Sequence, residues 1–417
     1  MTRDKNNNFL FIGNILLFTM VVLPFLILEI KVVLIVSLVL YSIFHILKIK
    51  RFIFIWFIIY IIWGFIFIIY GMYHETKGAN SLIGVYLLWP ILYFFFIINI
   101  NTLKALSSIV KVLLFSSFIM SIYVILSVFS LKTGMLPASL FFMTREVLDS
   151  TVDKVEVFIP FTTSFFFIIP FTLVLVFSKY QIIINKKNLL ILLTFNLIAI
   201  FFINRNALNL IFILAPIIMY ILSKVIFKRV FSFTITIQSL KIFVSIIGII
   251  FLSSLFFMEE IMILVDNFLL GLEFTSSDAV SAYARYNQFF ELLHVIEQKP
   301  LFGHGLGATI ENYTRSVKTP WMFELSYMAL IFQVGIIGTI IYLILIFSLI
   351  HKLIYIARKD KRFYALAVGT IVGTISFLIA NATNPYLYAY DHMWALFAPL
   401  AVINVYLHEN RKKYNAR

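Results

Sequence analysis

The sequence predicts an all-α polytopic membrane protein, because its apolar runs are long, its charge is scarce and its basic residues gather between the runs. Of the 417 residues, 62% are hydrophobic and 12% are charged, which is about half the charge of a soluble domain. Apolar stretches long enough for a helix to cross a bilayer recur along the whole chain. A helix bundle of this size folds as one unit, so we expect a single integral membrane domain over residues 1–417.

About twelve segments have the composition of a transmembrane helix, which requires roughly 20 mostly apolar residues. They are residues 9–28, 32–47, 52–70, 83–98, 106–129, 159–177, 189–203, 207–223, 241–257, 325–350, 363–380 and 393–407. The first is expected to be a retained helix rather than a cleaved signal peptide, since no small-residue cleavage site follows it. The chain has no cysteine, which excludes disulfides, thiolate zinc sites and cysteine nucleophiles.

The positions of the charged residues predict the topology. Lys and Arg collect in the short cytoplasmic loops of membrane proteins. With the N-terminus placed in the cytoplasm, every predicted cytoplasmic segment is basic, and most of the 19 acidic residues fall on the outer side. We therefore expect both termini in the cytoplasm, and we interpret the net charge of +14 as a topology signal rather than a sign of nucleic-acid binding.

Two predicted outer loops are long: residues 130–158, and the larger residues 258–320. Loops of this length are usually functional. Inside the larger loop, residues 279–298 are expected to form a helix that ends before Pro300, because proline disfavours helical geometry in the preceding residue. Four apolar side chains fall on one face of this helix by their spacing. They are Tyr286, Phe289, Leu293 and Ile296.

The stretch PLFGHGLG, residues 300–307, follows the predicted loop helix. Gly303, Gly305 and Gly307 permit positive φ angles and close backbone approach. The stretch lacks both the βαβ context of a dinucleotide site and the P-loop lysine, so no cofactor is expected. His304 lacks a second ligand nearby, so no metal is expected. It is either a substrate contact or a loop histidine held by backbone hydrogen bonds. We expect a tight turn that brings the loop helix and the next span to one site.

Two arginines are candidates for an anion site. Arg205 lies in the short turn NRN between two apolar runs, on the predicted outer side. An ionisable residue there is a functional candidate, although the same position suits a side chain that reaches for lipid headgroups. Arg285 lies on the predicted loop helix, where it would grip phosphate with two bonds or remain an exposed surface residue. Asp391 and His392, at the rim of the last span, form a further polar pair that would line a cavity.

Glu324, in the stretch PWMFELSYMAL, is expected to open the tenth span, with Tyr327 three residues later on the same helix face. A carboxylate in this position is a candidate general base. An acidic residue in the first turn also suits the helix dipole, which is the structural alternative. Arg315 and Lys318 in the same loop would either serve an anionic substrate or remain plain surface charges.

The order of these motifs resembles the O-antigen ligase and O-antigen polymerase superfamily of bacterial surface-polysaccharide assembly. The matching features are an arginine in a short outer turn, a large outer loop with an arginine before PLFGHGLG, a functional residue opening the next helix, and QVGIIG after it. In topology the resemblance covers most of the chain. Its sequence signal lies in residues 204–207 and 285–338.

The resemblance implies a GT-C-like, metal-independent, inverting glycosyltransferase in the bacterial inner membrane. The expected partners are an undecaprenyl-pyrophosphate-linked oligosaccharide, the lipid bilayer, a chain-length regulator and a flippase. Arg205 and Arg285 match the arginines expected to hold the pyrophosphate. The other expected substrate contacts are His304, Arg315, Lys318 and Tyr327.

One position departs from the ligase pattern. Ligases typically carry histidine and then asparagine where the helix after the big loop opens, whereas this chain has Glu324 and then leucine. The difference favours a repeat-unit polymerase with Glu324 as the base, and a ligase that transfers the glycan to lipid A core is the alternative. A lipid-linked oligosaccharide flippase is the alternative from another class. Its charges would spread through a central cavity, whereas here they gather in one loop and at its rim.

Overall fold

The computed structural model describes most of the chain. The described residues are 2–24, 26–44, 49–133, 137, 145–148, 155–158, 160–178, 180, 184–203, 205–226, 280–311, 313 and 316–415. The predicted span 241–257 and the candidate residue Arg315 lie outside them.

The described part is a helical bundle. Its α-helices are α1 (Thr2–Val22), α2 (Leu28–Phe44), α3 (Arg51–Tyr73), α4 (Ala79–Ile83), α5 (Trp89–Asn99), α6 (Leu103–Thr133), α7 (Phe165–Phe177), α8 (Lys186–Phe202), α9 (Asn206–Ile221), α10 (Val280–Gln298), α11 (Ser326–Lys359), α12 (Tyr364–Asn381) and α13 (Trp394–Asn415). A π-helical turn, Gly84–Leu88, joins α4 to α5. The predicted loop helix is confirmed as α10 over the described residues Val280–Gln298, and it ends where the sequence predicts.

Within the described residues, six helical segments have the length and apolar composition to cross a membrane. They are Arg51–Tyr73, Ala79–Asn99, Leu103–Ser130, Ala207–Lys224, Ser326–Lys359 and Tyr364–Asn381. Shorter apolar helices cover Asn8–Val22 and Thr162–Phe177. The chain is therefore a helical multi-pass membrane protein. Each predicted span that falls in the described part coincides with a helix, while the full number of crossings stays a prediction.

A small β-hairpin adds to the predicted all-α architecture. Within residues 130–158, β1 (Arg145–Leu148) pairs antiparallel with β2 (Val155–Phe158). Their register sets Arg145 opposite Phe158. Elsewhere in the described part the helices pack directly on one another, and α12 lies at the centre with nearly all of its side chains buried. Gly369 and Gly373 let α12 approach Phe171 and Phe167 of α7 closely, as small residues do between membrane helices.

The bundle has two chemically different ends. Lys352 near the end of α11 lies over the ring of Phe52 at the start of α3, 5.5 Å from its centroid. We call this the basic end, since helix termini there carry Arg51 and Lys359. The opposite end carries the PLFGHGLG loop, and we call it the site end. There Gly71, near the end of α3, contacts the backbone of Leu306.

Helix α11 is broken where it meets the PLFGHGLG loop. Gly335 has φ 66° and ψ −179°, which no helical residue adopts. The glycine is required there because a Cβ would collide with the backbone of Leu301. The loop itself has positive φ at Gly303, Gly305 and Gly307, as the sequence predicts. The continuous tenth span expected from the sequence is therefore two helical pieces joined at this kink.

The loop supplies the hydrogen bonds that the break removes from the helix. His304 N–H donates to the Phe332 carbonyl at 2.9 Å, and Gly305 N–H donates to the Gln333 carbonyl at 2.8 Å. In return, the Pro300 carbonyl accepts from the N–H of Ile336 at 2.9 Å. Non-helical backbone near membrane depth is tolerated only where protein groups satisfy it. PLFGHGLG is thus more than a turn, because its peptide groups form backbone hydrogen bonds with α11 on both sides of the kink.

Candidate functional site

Three separate parts of the chain meet at Tyr386 on the site end. Tyr386 lies in a short 3₁₀ turn, Tyr386–Tyr388, between α12 and α13. Arg205 occupies the N-cap position of α9, in the predicted turn after α8. Its Nη1 donates to the Tyr386 hydroxyl at 3.2 Å. The structure therefore holds the half-buried Arg205 side chain by a phenol that the sequence did not single out.

Arg285 and Glu324 form an ion pair, although 39 residues separate them. Nε of Arg285 donates to Oε2 of Glu324 at 3.0 Å, and the two side chains keep 25% and 19% of their surface exposed. One turn further along α10, the fully buried Gln288 accepts a hydrogen bond from the N–H of Leu325 at 2.8 Å. The expected meeting of the loop helix and the segment before the tenth span is thus present in the structure.

Hydrogen bonds at the start of α11 bring this ion pair towards Tyr386. Ser326 donates its hydroxyl to the Asn384 carbonyl at 2.8 Å, two residues before Tyr386. Burial raises the pKa of Tyr386 above its ordinary value. The positive charges of Arg205 and Arg285 oppose that rise, and the negative charge of Glu324 adds to it. The phenol therefore stays protonated at neutral pH and keeps a hydroxyl proton to donate.

Glu324 does not open a helix, which corrects the sequence prediction. Helix α11 begins at Ser326, and Glu324 lies in a bend two residues before it. The helix-face relation expected between Glu324 and Tyr327 is therefore wrong. Tyr327 donates its hydroxyl to the Leu378 carbonyl of α12 at 2.6 Å, so it ties two helices together. The carboxylate is positioned by its ion pair with Arg285 rather than by helix geometry.

His304 follows the structural alternative given for it above. Its Nε2 donates to the Val295 carbonyl of α10 at 2.9 Å, and its ring packs on Phe332, with centroids 4.9 Å apart. Burial lowers the pKa of His304, the bond to Val295 raises it, and nearby Lys299 lowers it again. The ring thus fastens the glycine loop to α10. Lys318 is exposed in the loop before α11.

Asp391 and His392 are buried rather than lining an open cavity. Asp391 pairs with Lys31 of α2, Nζ to Oδ1, at 3.3 Å, and both side chains are 0% exposed. Lys31 also donates to the Leu23 carbonyl at 2.6 Å. Nε2 of His392 lies 3.2 Å from the Thr163 hydroxyl. The predicted spans 9–28 and 32–47 leave Lys31 in the short segment between them, whereas it lies inside α2, where the Asp391 carboxylate faces its charge.

His392 connects this buried pair with the site. Its ring meets that of Tyr386 edge-on, with centroids 5.5 Å apart. Burial lowers the pKa of His392 to about 3, and the charge of Arg205 contributes to the same direction. The imidazole is therefore neutral at physiological pH. The uncharged ring packs against the ring of Tyr386.

The arrangement suits an anion with two negative charges. Two guanidinium groups on separate elements can hold oxygen atoms of such a ligand in fork geometry, and the Tyr386 hydroxyl can donate to a third. Glu324 adds a carboxylate that can accept a proton beside them. Among the residues that the structure describes, no three His, Asp or Glu side chains cluster as a metal site would.

Comparison with family models, with curated proteins and with solved structures finds no match to this chain. The resemblance to the O-antigen ligase and polymerase superfamily therefore stays an interpretation of the motifs. The function has to be argued from the residues of the site.

Proposed function

We propose that this protein is a polysaccharide repeat-unit polymerase of the O-antigen or capsule type. It would transfer a growing glycan from undecaprenyl pyrophosphate to a lipid-linked repeat unit at the outer face of the bacterial inner membrane. The observation that carries the proposal is the convergence of Arg205, Arg285 and Glu324 around Tyr386 on the end of the bundle opposite the basic loops.

The leaving group explains why two arginines would be needed. When the glycosidic carbon–oxygen bond to pyrophosphate breaks, negative charge develops on the departing phosphate. Preorganised donors in a water-poor site stabilise such charge strongly. Arg205 and Arg285 would bind the pyrophosphate oxygens, and the Tyr386 hydroxyl would donate to the oxygen beside Arg205.

The attacking group needs a base. A sugar hydroxyl of the acceptor repeat unit forms the new bond to the anomeric carbon from the face opposite the pyrophosphate, which inverts that carbon. Its proton would pass to the Glu324 carboxylate as the bond forms. Arrival of the pyrophosphate gives Arg285 a second anionic partner, which would loosen the ion pair and leave Glu324 available to the hydroxyl.

The test incubates the purified full-length protein with lipid-linked repeat units in detergent and EDTA. A ladder of longer lipid-linked chains is the expected product. Product that forms only after addition of a lipid A core acceptor would show a ligase instead. A ladder that disappears in EDTA would contradict the metal-independent mechanism.

The arginine variants test the site within the same assay. We expect Arg205→Ala and Arg285→Ala to abolish the ladder while expression and folding persist. Arg285→Lys should restore little, because lysine keeps the charge but lacks the planar fork. The matched control is Lys299→Ala, which removes an exposed positive charge at the end of α10. Near-normal ladders from either arginine variant would refute these roles.

A further inference from the structure

Helix α10 presents large apolar side chains to the outside of the protein. Gln288 and Leu292 point inward and are fully buried, whereas the opposite side is exposed. The exposed large apolar residues there are Tyr283, Tyr286, Phe289, Phe290 and Leu293, each between 38% and 50% exposed. The ring of Phe290 contacts those of Tyr286 and Phe289, with centroids 4.9 Å and 5.3 Å away. These five residues form one surface, which we call the aromatic face.

The spanning helices give the depth of the C-terminal end of α10. Along α3, Arg51 and Gly71 are about 30 Å apart at 1.5 Å per residue, and Gly71 contacts Leu306 of the glycine loop. Along α11, Lys359 and Gly335 are about 36 Å apart by the same rise, and Gly335 contacts Leu301. The hydrocarbon core of a bilayer is about 30 Å thick. The loop that follows α10 therefore lies at the boundary between hydrocarbon and headgroups.

The lipid-facing surface of α11 continues onto this loop. Ile336 and Ile337 are exposed on α11, just beyond the kink. The Leu301 carbonyl accepts from Ile337 N–H at 3.2 Å, and the side chains of Leu301 and Phe302 are each 56% exposed. Soluble surfaces rarely keep so much contiguous apolar area. The same exposed apolar belt thus passes from a spanning helix to the loop at the end of α10.

The other flank of α10 is polar. Asn287, Glu291 and Gln298 lie there, about 100° or more from the centre of the aromatic face at 100° per residue. The aromatic face ends at Leu293, because Glu297 occupies the next turn on the same side. Aromatic residues on one side of a helix and polar residues on the other are typical of helices that lie in a membrane interface.

We propose that α10 is an interfacial helix whose aromatic face is immersed in the lipid leaflet at the site end of the bundle. Lipid at the headgroup–acyl boundary is the occupant of this face. Arg285 lies beside Phe289 on the flank of the helix, so its guanidinium sits at headgroup level. A phosphate carried on a lipid reaches Arg285 without leaving the leaflet. The proposal concerns the placement of α10 and does not depend on the reaction catalysed.

The absence of cysteine from the chain makes the test direct. Single variants Leu293→Cys and Glu291→Cys place a nitroxide label on nearly opposite sides of α10. Reference labels are Ile340→Cys on the lipid-facing side of α11, where Ile340 is 50% exposed, and Val317→Cys in a loop, where Val317 is 91% exposed. All four full-length proteins are reconstituted in phosphatidylcholine–phosphatidylglycerol nanodiscs. Collision rates with oxygen and with a water-soluble nickel chelate are then measured.

The expected oxygen-to-nickel ratio at position 293 matches that at position 340 and exceeds that at position 291, which should resemble position 317. A ratio at position 293 equal to that at position 317 would overturn the proposal, because the face would then be in water. Poor access for both reagents at position 293 would also overturn it, since another protein surface would then cover the face. Folding of each variant is checked by its elution from a size-exclusion column.

Discussion

In the described part of the chain, two ion pairs join segments that are distant in sequence, and they differ in their contact with water. Lys31 and Asp391 are 3.3 Å apart with no exposed surface, while Arg285 and Glu324 are 3.0 Å apart and keep a fifth to a quarter of theirs. If one member of a buried pair is lost, water cannot solvate the remaining charge in its place. A pair that keeps part of its surface exposed can exchange its partner for water or a ligand. The first arrangement suits a structural fastening and the second suits a binding site.

The largest expected effect comes from breaking the buried pair. Lys31→Met removes the positive charge that faces the buried Asp391 carboxylate, and loss of one partner of a buried pair costs about 3–5 kcal/mol of unfolding free energy. Equilibrium unfolding in mixed detergent–SDS micelles measures the loss. The double variant Lys31→Met with Asp391→Leu should recover most of it. If the single variant is as stable as the wild type, the pair does not fasten α2 to the segment before α13.

The pH dependence of stability tests the neighbouring His392. Because burial holds its folded-state pKa at about 3, the unfolded chain binds a proton below its ordinary pKa of about 6.5 while the folded protein does not. Stability from this residue is therefore complete above that pH and is lost as pH falls, by about 2 kcal/mol at pH 5. His392→Gln should flatten this slope. An unchanged slope in His392→Gln would mean that other groups cause it.

The partly exposed pair of Arg285 and Glu324 should respond in the opposite way, with a large loss of activity and a small loss of stability on substitution. Acid–base catalysis contributes about 10²–10⁴-fold, so Glu324→Gln should lower the rate of ladder formation by more than roughly tenfold. The unfolding free energy should change by less than about 1 kcal/mol, as for exposed pairs. A rate loss below tenfold would reduce Glu324 to a positioning role.

The smallest effect is expected at Tyr386, which lies between the two ion pairs. Tyr386→Phe removes the hydroxyl that accepts from Arg205 and keeps the ring that packs on His392. A hydrogen bond to a charged group contributes about 1.5–3 kcal/mol. Because water can take the place of the phenol beside the partly exposed Arg205, we expect the rate to fall by roughly tenfold, at the lower end of that range, while the slope of stability against pH stays unchanged. A change of that slope would show that the phenol controls the burial of His392.

The helices could be predicted from the sequence more completely than the site. The bounds of α10 and the positive φ angles of the three loop glycines followed from local rules, since proline and glycine restrict or relax the backbone in place. The contact between Arg285 and Glu324 followed in outline because PLFGHGLG was expected to bring their segments together. Gly335 offered a signal, a glycine inside an apolar helix, but only its collision with Leu301 explains the break.

The remaining features depend on tertiary partners that local patterns do not contain. Lys31 suited a loop in the sequence, because nothing nearby indicates that Asp391 would neutralise it. The helical spacing of Tyr286, Phe289, Leu293 and Ile296 predicts one face but gives no direction for it. The structure turns the first three outward, whereas Ile296 is partly buried against a core cluster. Tyr386 had no distinguishing neighbours in the sequence, and its importance arises from the three charged residues around it.

The hydrogen bonds between PLFGHGLG and α11 affect how this part of the chain inserts into a membrane. The loop is synthesised before α11, and four backbone hydrogen bonds around Gly335 join residues 332–337 to residues 300–305. The first turns of α11 are therefore not a self-sufficient helix that hydrocarbon can accept unaided. Insertion of this segment and docking of the loop must finish together. The ribosome therefore makes the loop before the helix that it supports, and the span is complete only when the two have docked.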